Sequence, residues 1–326
     1  MNRAMRTARI KFQDRSAIFH CLSRVVAGER LLDEAAREVL SRMLWKLAGF
    51  CGVEVITYCM MSNHFHILIR VPERSQLTDA ELIARLEALY GRKGALTLLA
   101  RQAVAERGKI DADIRQGLIE RMGDVSAFMK ELKQRFSRWF NRRHERFGTL
   151  WAERFKSVIV EDQPLSLEAV AAYIDLNPVR AGLVEDPKDY RFCGYAAAVA
   201  GNTLARKGLM GVQGKKNWGE CAAGYRMRLF VGGGTTRQSG KVVLDREKIK
   251  EVLAQGGELS LGQVLRLRVR HLSDGVALGT RGFVNEVFAL HREKFGPRRK
   301  DGARPIRALS SIGLMALRDL RVRALG

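Results

Sequence analysis

The chain has 326 residues, of which 46% are hydrophobic and 28% are charged, a composition typical of globular proteins and not of disordered chains. No run of about 18 apolar residues is present, and no apolar segment follows the basic N-terminus, so we expect neither a membrane span nor a signal peptide. Five scattered cysteines without a CxxC pair argue against a disulfide framework or a zinc ribbon and favour a reducing, cytoplasmic location.

The charge of the chain is strongly unbalanced. Its 57 Lys and Arg residues outnumber 35 Asp and Glu residues, which gives a formal net charge of +22. Such a charge indicates a polyanionic partner, of which nucleic acid is the first candidate. A solvated basic surface without a specific partner is the alternative.

The first elements are predicted from runs of β-forming residues, from helical spacing of apolar residues, and from capping and turn residues. Residues 17–24 favour a strand, and helical apolar spacing follows between a capping residue, Asp33, and a stop at Gly52. Two runs rich in β-formers, 53–61 and 64–71, are separated by Ser-Asn, which predicts a β-hairpin.

The middle of the chain is predicted to complete the sheet. Residues 73–124 are polar and alanine-rich and are interpreted as an inserted helical segment. A long basic helix is expected over 126–148, a strand over 154–162, and a helix capped by Ser166 over 166–178. This order predicts an α+β fold, a ferredoxin-like antiparallel sheet with helices, because it contains the split βαβ pattern.

Composition shifts in the last third of the chain. Residues 201–240 are glycine-rich and basic, which predicts a linker between a domain at 1–200 and a basic, mainly helical extension at 241–326. Two helices are expected there, at 259–272 and 280–296, in an arrangement that resembles a DNA-binding helix-turn-helix.

Two histidines open the second strand of the predicted hairpin. His64 and His66 are two residues apart, so on a strand they point to the same face and could chelate one divalent ion. Such a pair is more often one satisfied structural histidine and one surface histidine, and both interpretations stay open. His20 and His144 are assigned to structure or surface.

A tyrosine and an asparagine form a second pair. Tyr173 and Asn177 are four residues apart in the predicted helix and share one face. A tyrosine can act as a nucleophile in phosphoryl transfer, but its high pKa requires a phosphate polarised by a metal. A core tyrosine and a helix-terminal asparagine are the alternative.

The long basic helix combines cations with aromatic residues. Cationic side chains can follow phosphates, and aromatic rings can stack on unpaired bases, for which Trp139 and Trp151 are the better candidates. The candidate DNA-binding residues are Arg135, Arg138, Trp139, Arg142, Arg143, Trp151, Arg154, Lys156 and Arg180.

Taken together, four segments carry a resemblance: "NHFHILI", "RFSRWFNRRHERFGTLWAERFKS", "YIDLNPVRAGLV" and "DPKDYRFCGYAA". Their combination resembles the IS200-like transposase family, and within it the REP-associated tyrosine transposases, which are HUH endonucleases with one catalytic tyrosine. The resemblance spans residues 8–198, and the C-terminal tail is similar to an extension thought to help hold DNA in longer members.

The resemblance implies roles for the residues named above. His64 and His66 match the metal ligands, Tyr173 matches the nucleophile, and Asn177 matches the polar residue that completes the metal site. Mg²⁺ or Mn²⁺ is the implied cofactor, and single-stranded or hairpin DNA is the implied substrate. Cleavage is implied to give a 5′-phosphotyrosine link and a free 3′-hydroxyl. The chain departs from the family in its insert and in its neutral third ligand.

Two other functions are retained as alternatives. A metal-dependent phosphodiesterase would use the histidines and water but not the tyrosine. A domesticated DNA- or RNA-binding protein would have no catalysis at all. The sequence also leaves open whether an active site works alone or across a homodimer.

Overall fold

The computed structural model describes residues 9–12, 15–73, 76–230, 235–238, 241–244, 271–306 and 313–318. The predicted helix at 259–272 lies outside the described residues except at its last two positions. Across the described part of the chain, no helix is both long and apolar enough to cross a membrane.

A seven-stranded sheet forms the centre of the protein, in the order β2-β3-β1-β4-β7-β9-β8. Its strands are β1 (Ala17–Arg24), β2 (Glu54–Met60), β3 (His64–Val71), β4 (Lys156–Val160), β7 (Ala277–Gly279), β8 (Arg304–Pro305) and β9 (Met315–Leu317). A separate two-stranded sheet contains β5 (Thr235–Gln238) and β6 (Lys241–Leu244). In the order β2-β3-β1-β4, each strand is antiparallel to its neighbour, which confirms the predicted ferredoxin-like sheet.

Helices cover both faces of this sheet. The longer ones are α1 (Glu34–Cys51), α2 (Asp79–Tyr90), α3 (Ala95–Arg107), α4 (Ala112–Ile119), α5 (Val125–Arg143), α6 (Pro164–Asp175), α9 (Thr203–Gln213), α10 (Trp218–Phe230) and α12 (Arg281–Leu290). The shorter ones are α7 (Asn177–Arg180), α8 (Gly194–Val199) and α11 (His271–Asp274). The predicted bounds of α1 are confirmed: the Asp33 carboxylate accepts from the Ala36 N–H, and Gly52 adopts a left-handed conformation.

The alternation of side chains along β3 separates two helical layers. Phe65 packs edge-to-face on Trp151, which in turn packs on Phe136 of α5. His66 points the other way and lies beside the Tyr173 ring of α6. The basic helix α5 and the tyrosine-bearing helix α6 therefore lie on opposite faces of the sheet.

The predicted bounds of three helices differ from the structure. The helix predicted over 280–296 ends at Leu290, and the helix that carries Tyr173 ends at Asp175, so that Asn177 begins the separate helix α7. The basic helix ends at Arg143 instead of Gly148, because Glu145 has a φ of 49° and turns the chain out of the helix. The helix that carries Tyr173 begins at Pro164 and not after Ser166, which is buried inside it. Proline at the first helical position lacks only an N–H that would have no partner there, so it favours this earlier start.

The predicted linker is largely helical. Residues 203–230 form α9 and α10, and Leu209 and Tyr225 are fully buried. At Gly208 a Cβ would lie 2.5 Å from the carbonyl oxygens of Val55 and Ile56. A glycine that composition associates with a linker thus allows a helix to pack directly on β2.

The C-terminal extension joins the central sheet. Strand β7 lies in the segment that the helix-turn-helix interpretation treats as the turn, and it pairs in parallel with β4. Helix α12 begins next, with the Thr280 hydroxyl accepting from the Phe283 N–H. The described part of the extension therefore contains strands β7, β8 and β9 beside its helices.

We predict that Gly208→Ala lowers the free energy of unfolding by about 1–3 kcal/mol, because the added methyl group overlaps backbone atoms that cannot rotate away. Gly211→Ala, on the same helix but with only a Glu54 oxygen near, at 4.0 Å, is the matched control and is expected to be neutral or stabilising by up to about 1 kcal/mol. Urea unfolding measures both variants. Equal stability of the two would contradict the close packing of α9 on β2.

Candidate functional site

The two histidines of β3 lie together at one end of the sheet. His64 pairs in register with Arg24 and His66 with Leu22 of β1. Their ring centroids are 5.2 Å apart, with His66 buried and His64 partly exposed. The structure therefore brings the predicted pair side by side on the face that α6 covers.

Tyr173 of α6 lies over this pair. Its ring centroid is 5.9 Å from that of His66 and 6.1 Å from that of His20. The Arg180 guanidinium lies 4.1 Å from the centre of the tyrosine ring, and its Nη2 donates a 2.7 Å hydrogen bond to the Tyr173 carbonyl. The ring thus contacts two imidazoles and a guanidinium, with 4% of the residue exposed.

Asn177 begins the short helix α7, directly after the turn at Leu176 that ends α6. Its side chain is buried, and its Nδ2 has no hydrogen-bond partner among the described residues. The two ends of an asparagine amide exchange by rotation about one bond. An unsatisfied buried amide therefore suits a ligand that the chain does not itself provide.

The donor set fits a divalent cation, although with neutral ligands. Within the described ranges no group of three or more His, Cys, Asp or Glu residues is arranged to hold a metal ion. The site would thus depend on two imidazoles and the Asn177 amide oxygen, and such neutral donors bind more weakly than a carboxylate does.

Burial keeps the inner imidazoles neutral. It lowers the pKa of His66 well below its usual value, with a further reduction from neighbouring His20 and His64. It also lowers the pKa of His20 to about 4. Both rings are therefore unprotonated at neutral pH, the state in which an imidazole nitrogen can bind a metal.

His20 belongs to this cluster, which the sequence interpretation did not include. Its Nε2 lies 2.8 Å from Nδ1 of His66, and its Nδ1 lies 2.5 Å from the Leu272 carbonyl oxygen of α11. The assignment of His20 to structure is consistent with its burial, but it overlooks this contact. Strand alternation could have placed His20 on the site face once the β1–β3 register was known.

A second unpredicted group is the carboxyl of Asp175, two residues after Tyr173. Thr57 of β2 donates to it at 2.8 Å, Tyr225 of α10 at 2.7 Å, and the Tyr195 N–H at 3.2 Å. Burial raises the pKa of Asp175 to about 7 against its three hydrogen bonds, which lower it. The carboxyl joins α6 to the sheet and to the region beyond residue 200.

Most of the candidate DNA-binding residues lie away from Tyr173. Two cavities of about 680 and 780 Å³ flank α5 on the far face, and Arg138 lines both. Arg135 is held by Glu131 and the Tyr90 hydroxyl. The exposed candidates are Arg138, Arg142, Arg143, Arg154 and Lys156.

The remaining candidates differ in access. Arg180 contacts Tyr173, and Lys156 pairs in register with Leu22, which places it on the site face. Trp139 is half-buried, whereas Trp151 is 7% exposed, with its indole packed against core phenylalanines. Of the two tryptophans, Trp139 has the more accessible ring.

Residues 15–93 and 118–177 match the sequence model of the IS200-like transposases. The matched segments contain β1 to β4, α1, α2, α5 and α6, and they end at Asn177. The interruption, 94–117, lies inside the predicted insert and contains α3.

Among solved structures, the chain is similar to one described as a REP-associated tyrosine transposase bound to a REP hairpin. The identity is 15%, the alignment covers 60% of this chain and 87% of that chain, and the TM-score is 0.39. No curated protein matches the chain.

We predict that Asp175→Asn changes how stability depends on pH. The folded-state pKa, about 7, lies above the usual 3.8, so the stabilisation from this group is complete below pH 3.8 and is lost as pH rises to about 7. The loss amounts to at most about 4 kcal/mol. Asparagine resembles the protonated carboxyl, so the variant should gain stability relative to the wild type between pH 5 and pH 9.

Urea unfolding at several pH values measures this difference. The exposed Asp113→Asn is the control and should give a curve parallel to that of the wild type. A parallel curve for Asp175→Asn as well would show that the buried carboxyl stays ionised.

Proposed function

We propose that the chain cleaves and rejoins single-stranded DNA beside a hairpin, through a covalent link to Tyr173. The observation that carries the proposal is the convergence of His64, His66 and Tyr173 on one face of the sheet, within a region that matches the model of the IS200-like transposases. The net charge of +22 supports a nucleic-acid substrate.

In this proposal His64, His66 and the Asn177 amide hold Mg²⁺ or Mn²⁺. The bound ion would polarise the scissile phosphate and neutralise charge as the transition state forms. The chain's own contribution is to place the tyrosine hydroxyl near that phosphate, since α6 packs on the strand that carries both histidines. Arg180 restrains the ring from its other side.

The reaction exchanges one ester for another. A bond forms between the Tyr173 oxygen and phosphorus, and the bond between phosphorus and the 3′-oxygen breaks. The phenol loses its proton, and the leaving 3′-oxygen gains one. Because the product is again a phosphodiester, attack by a 3′-hydroxyl reverses the step and joins strands without ATP.

The two helical layers carry separate sets of cations. Lys156 and Arg180 lie on the site face, whereas Arg138 and Arg142 line the cavities across the sheet. We propose that the site-face cations contact the strand to be cut. The cations of α5 would contact DNA phosphates outside the reacting segment.

We predict that Tyr173→Phe abolishes both cleavage and the covalent protein–DNA adduct. Phenylalanine keeps the ring and removes only the nucleophile, so hairpin binding and thermal stability should remain close to those of the wild type. A denaturing gel with 3′-labelled single-stranded hairpin DNA and Mn²⁺ detects the adduct, because the label stays on the strand joined to tyrosine.

Tyr190→Phe and Tyr195→Phe are the matched controls, since both residues lie after α6 but contact Met60 and Arg226 instead of the histidines. They should keep the adduct. An adduct that persists in Tyr173→Phe would refute the assignment of the nucleophile. Cleavage by the wild type without any adduct would favour the phosphodiesterase that uses water.

We predict that His64→Ala and His66→Ala each reduce Mn²⁺-dependent cleavage by at least about 100-fold, because each removes one of three metal ligands. The matched control is His144→Ala. His144 is exposed and stacks on Phe140 at the end of α5, so this variant should cut normally. Cleavage at the wild-type rate by His64→Ala or His66→Ala, or by the wild type in excess EDTA, would argue against the metal site.

A further inference from the structure

A chain of hydrogen bonds connects the site to the C-terminal extension. The Leu272 carbonyl can only accept, so Nδ1 of His20 donates to it. A ring that is 1% exposed and already donates from Nδ1 is most stable without charge, so Nε2 of His20 carries a lone pair and accepts from Nδ1–H of His66. The direction of both bonds is therefore fixed by the backbone oxygen of α11.

We propose that His20 is a positioning residue, which sets the tautomer and ring orientation of His66 so that Nε2 is its metal-binding nitrogen. The inference rests on the proposed function, because it assigns a partner to one of the proposed ligands. Metal-bound imidazoles commonly donate their second N–H to a fixed acceptor, which orients the ring and makes it a better ligand.

The other proposed ligand has an acceptor of its own. Nδ1 of His64 lies 2.6 Å from Oδ1 of Asn63. The Asn63 amide is itself oriented, because its Nδ2 donates to the Gly28 carbonyl. His64 therefore donates its Nδ1–H to the Asn63 oxygen. Two unrelated acceptors thus orient the two rings.

Burial makes His20, and not solvent water, the acceptor for the Nδ1–H of His66. His20 is 1% and His66 3% exposed, and their rings stack with centroids 5.1 Å apart. The Tyr173 ring packs edge-to-face on His20, and α11 packs on β1 and β4. Residues that lie diagonally across two antiparallel strands can make this contact. His20 is opposite Leu68, and His66 is two positions from Leu68 on the same face of β3.

The C-terminal extension thereby acquires a role at the metal site besides DNA affinity. The Leu272 carbonyl belongs to α11, which leads directly into β7 and its pairing with β4. Any displacement of this segment would remove the acceptor that directs His20. Metal affinity would then change although the ligands themselves remain.

The test compares His20→Phe with His20→Gln in the full chain. Phenylalanine keeps a ring but offers no acceptor, whereas the glutamine amide oxygen can occupy the position of Nε2. Calorimetric titration of Mn²⁺ into the protein without DNA should show about 10–100-fold weaker binding for His20→Phe. Binding by His20→Gln should stay near that of the wild type, as should binding by the control, His144→Phe.

Imidazole ¹⁵N chemical shifts of the metal-free wild type give a readout that does not depend on any variant. They should show His20 and His66 as neutral Nδ1–H tautomers. An Nε2–H tautomer at His66 would overturn the proposal. So would wild-type Mn²⁺ affinity in a folded His20→Phe, or equal losses in the phenylalanine and glutamine variants.

The outcomes separate this inference from the proposed function. Mn²⁺ binding that depends on His20, together with no covalent adduct from the wild type, would refute the transferase mechanism and leave the positioning role intact. A wild-type protein that binds no Mn²⁺ would refute both.

Discussion

The packing of α6 on the sheet is the constraint on which the site depends. Tyr173 can approach the histidines only if α6 keeps its distance from β3 and its rotation about its own axis. The hydrogen bonds of Asp175 restrain both. Its carboxyl joins α6 to β2 through Thr57 and to α10 through Tyr225. A buried carboxyl is costly without partners, so three hydrogen bonds at one point allow little displacement of the helix that carries the tyrosine.

The local elements could be predicted because their signals lie in adjacent residues. Asp33 and Gly52 mark the ends of α1, and the alternation after Ser62-Asn63 identifies β3. The pairing of His64 with His66 could also be predicted, since a spacing of two on a strand determines a shared face. The structure brings Tyr173 to these histidines, which spacing alone could not establish, and it places Asn177 in the separate helix α7.

The rest could not be predicted because it depends on contacts between distant residues. His20 is 46 positions from His66, and only the β1–β3 register reveals that they meet. Gly208 is typical of a linker by composition, yet it allows close approach of a helix to Val55 and Ile56. The basic helix has a clear charge pattern, but its face of the sheet is decided by Phe136 packing on Trp151.

These long-range contacts join the described residues beyond 200 to the elements that surround the histidines. Tyr225 completes the Asp175 network, the Leu272 carbonyl directs His20, and β7 extends the sheet from β4. A chain cut near residue 200 would lose all three, leaving a buried carboxyl short of a donor and β4 with an unpaired edge. Each loss falls on an element next to the site: α6, β1 or β4. The described residues beyond 200 therefore share the central sheet and contact the elements around the proposed site.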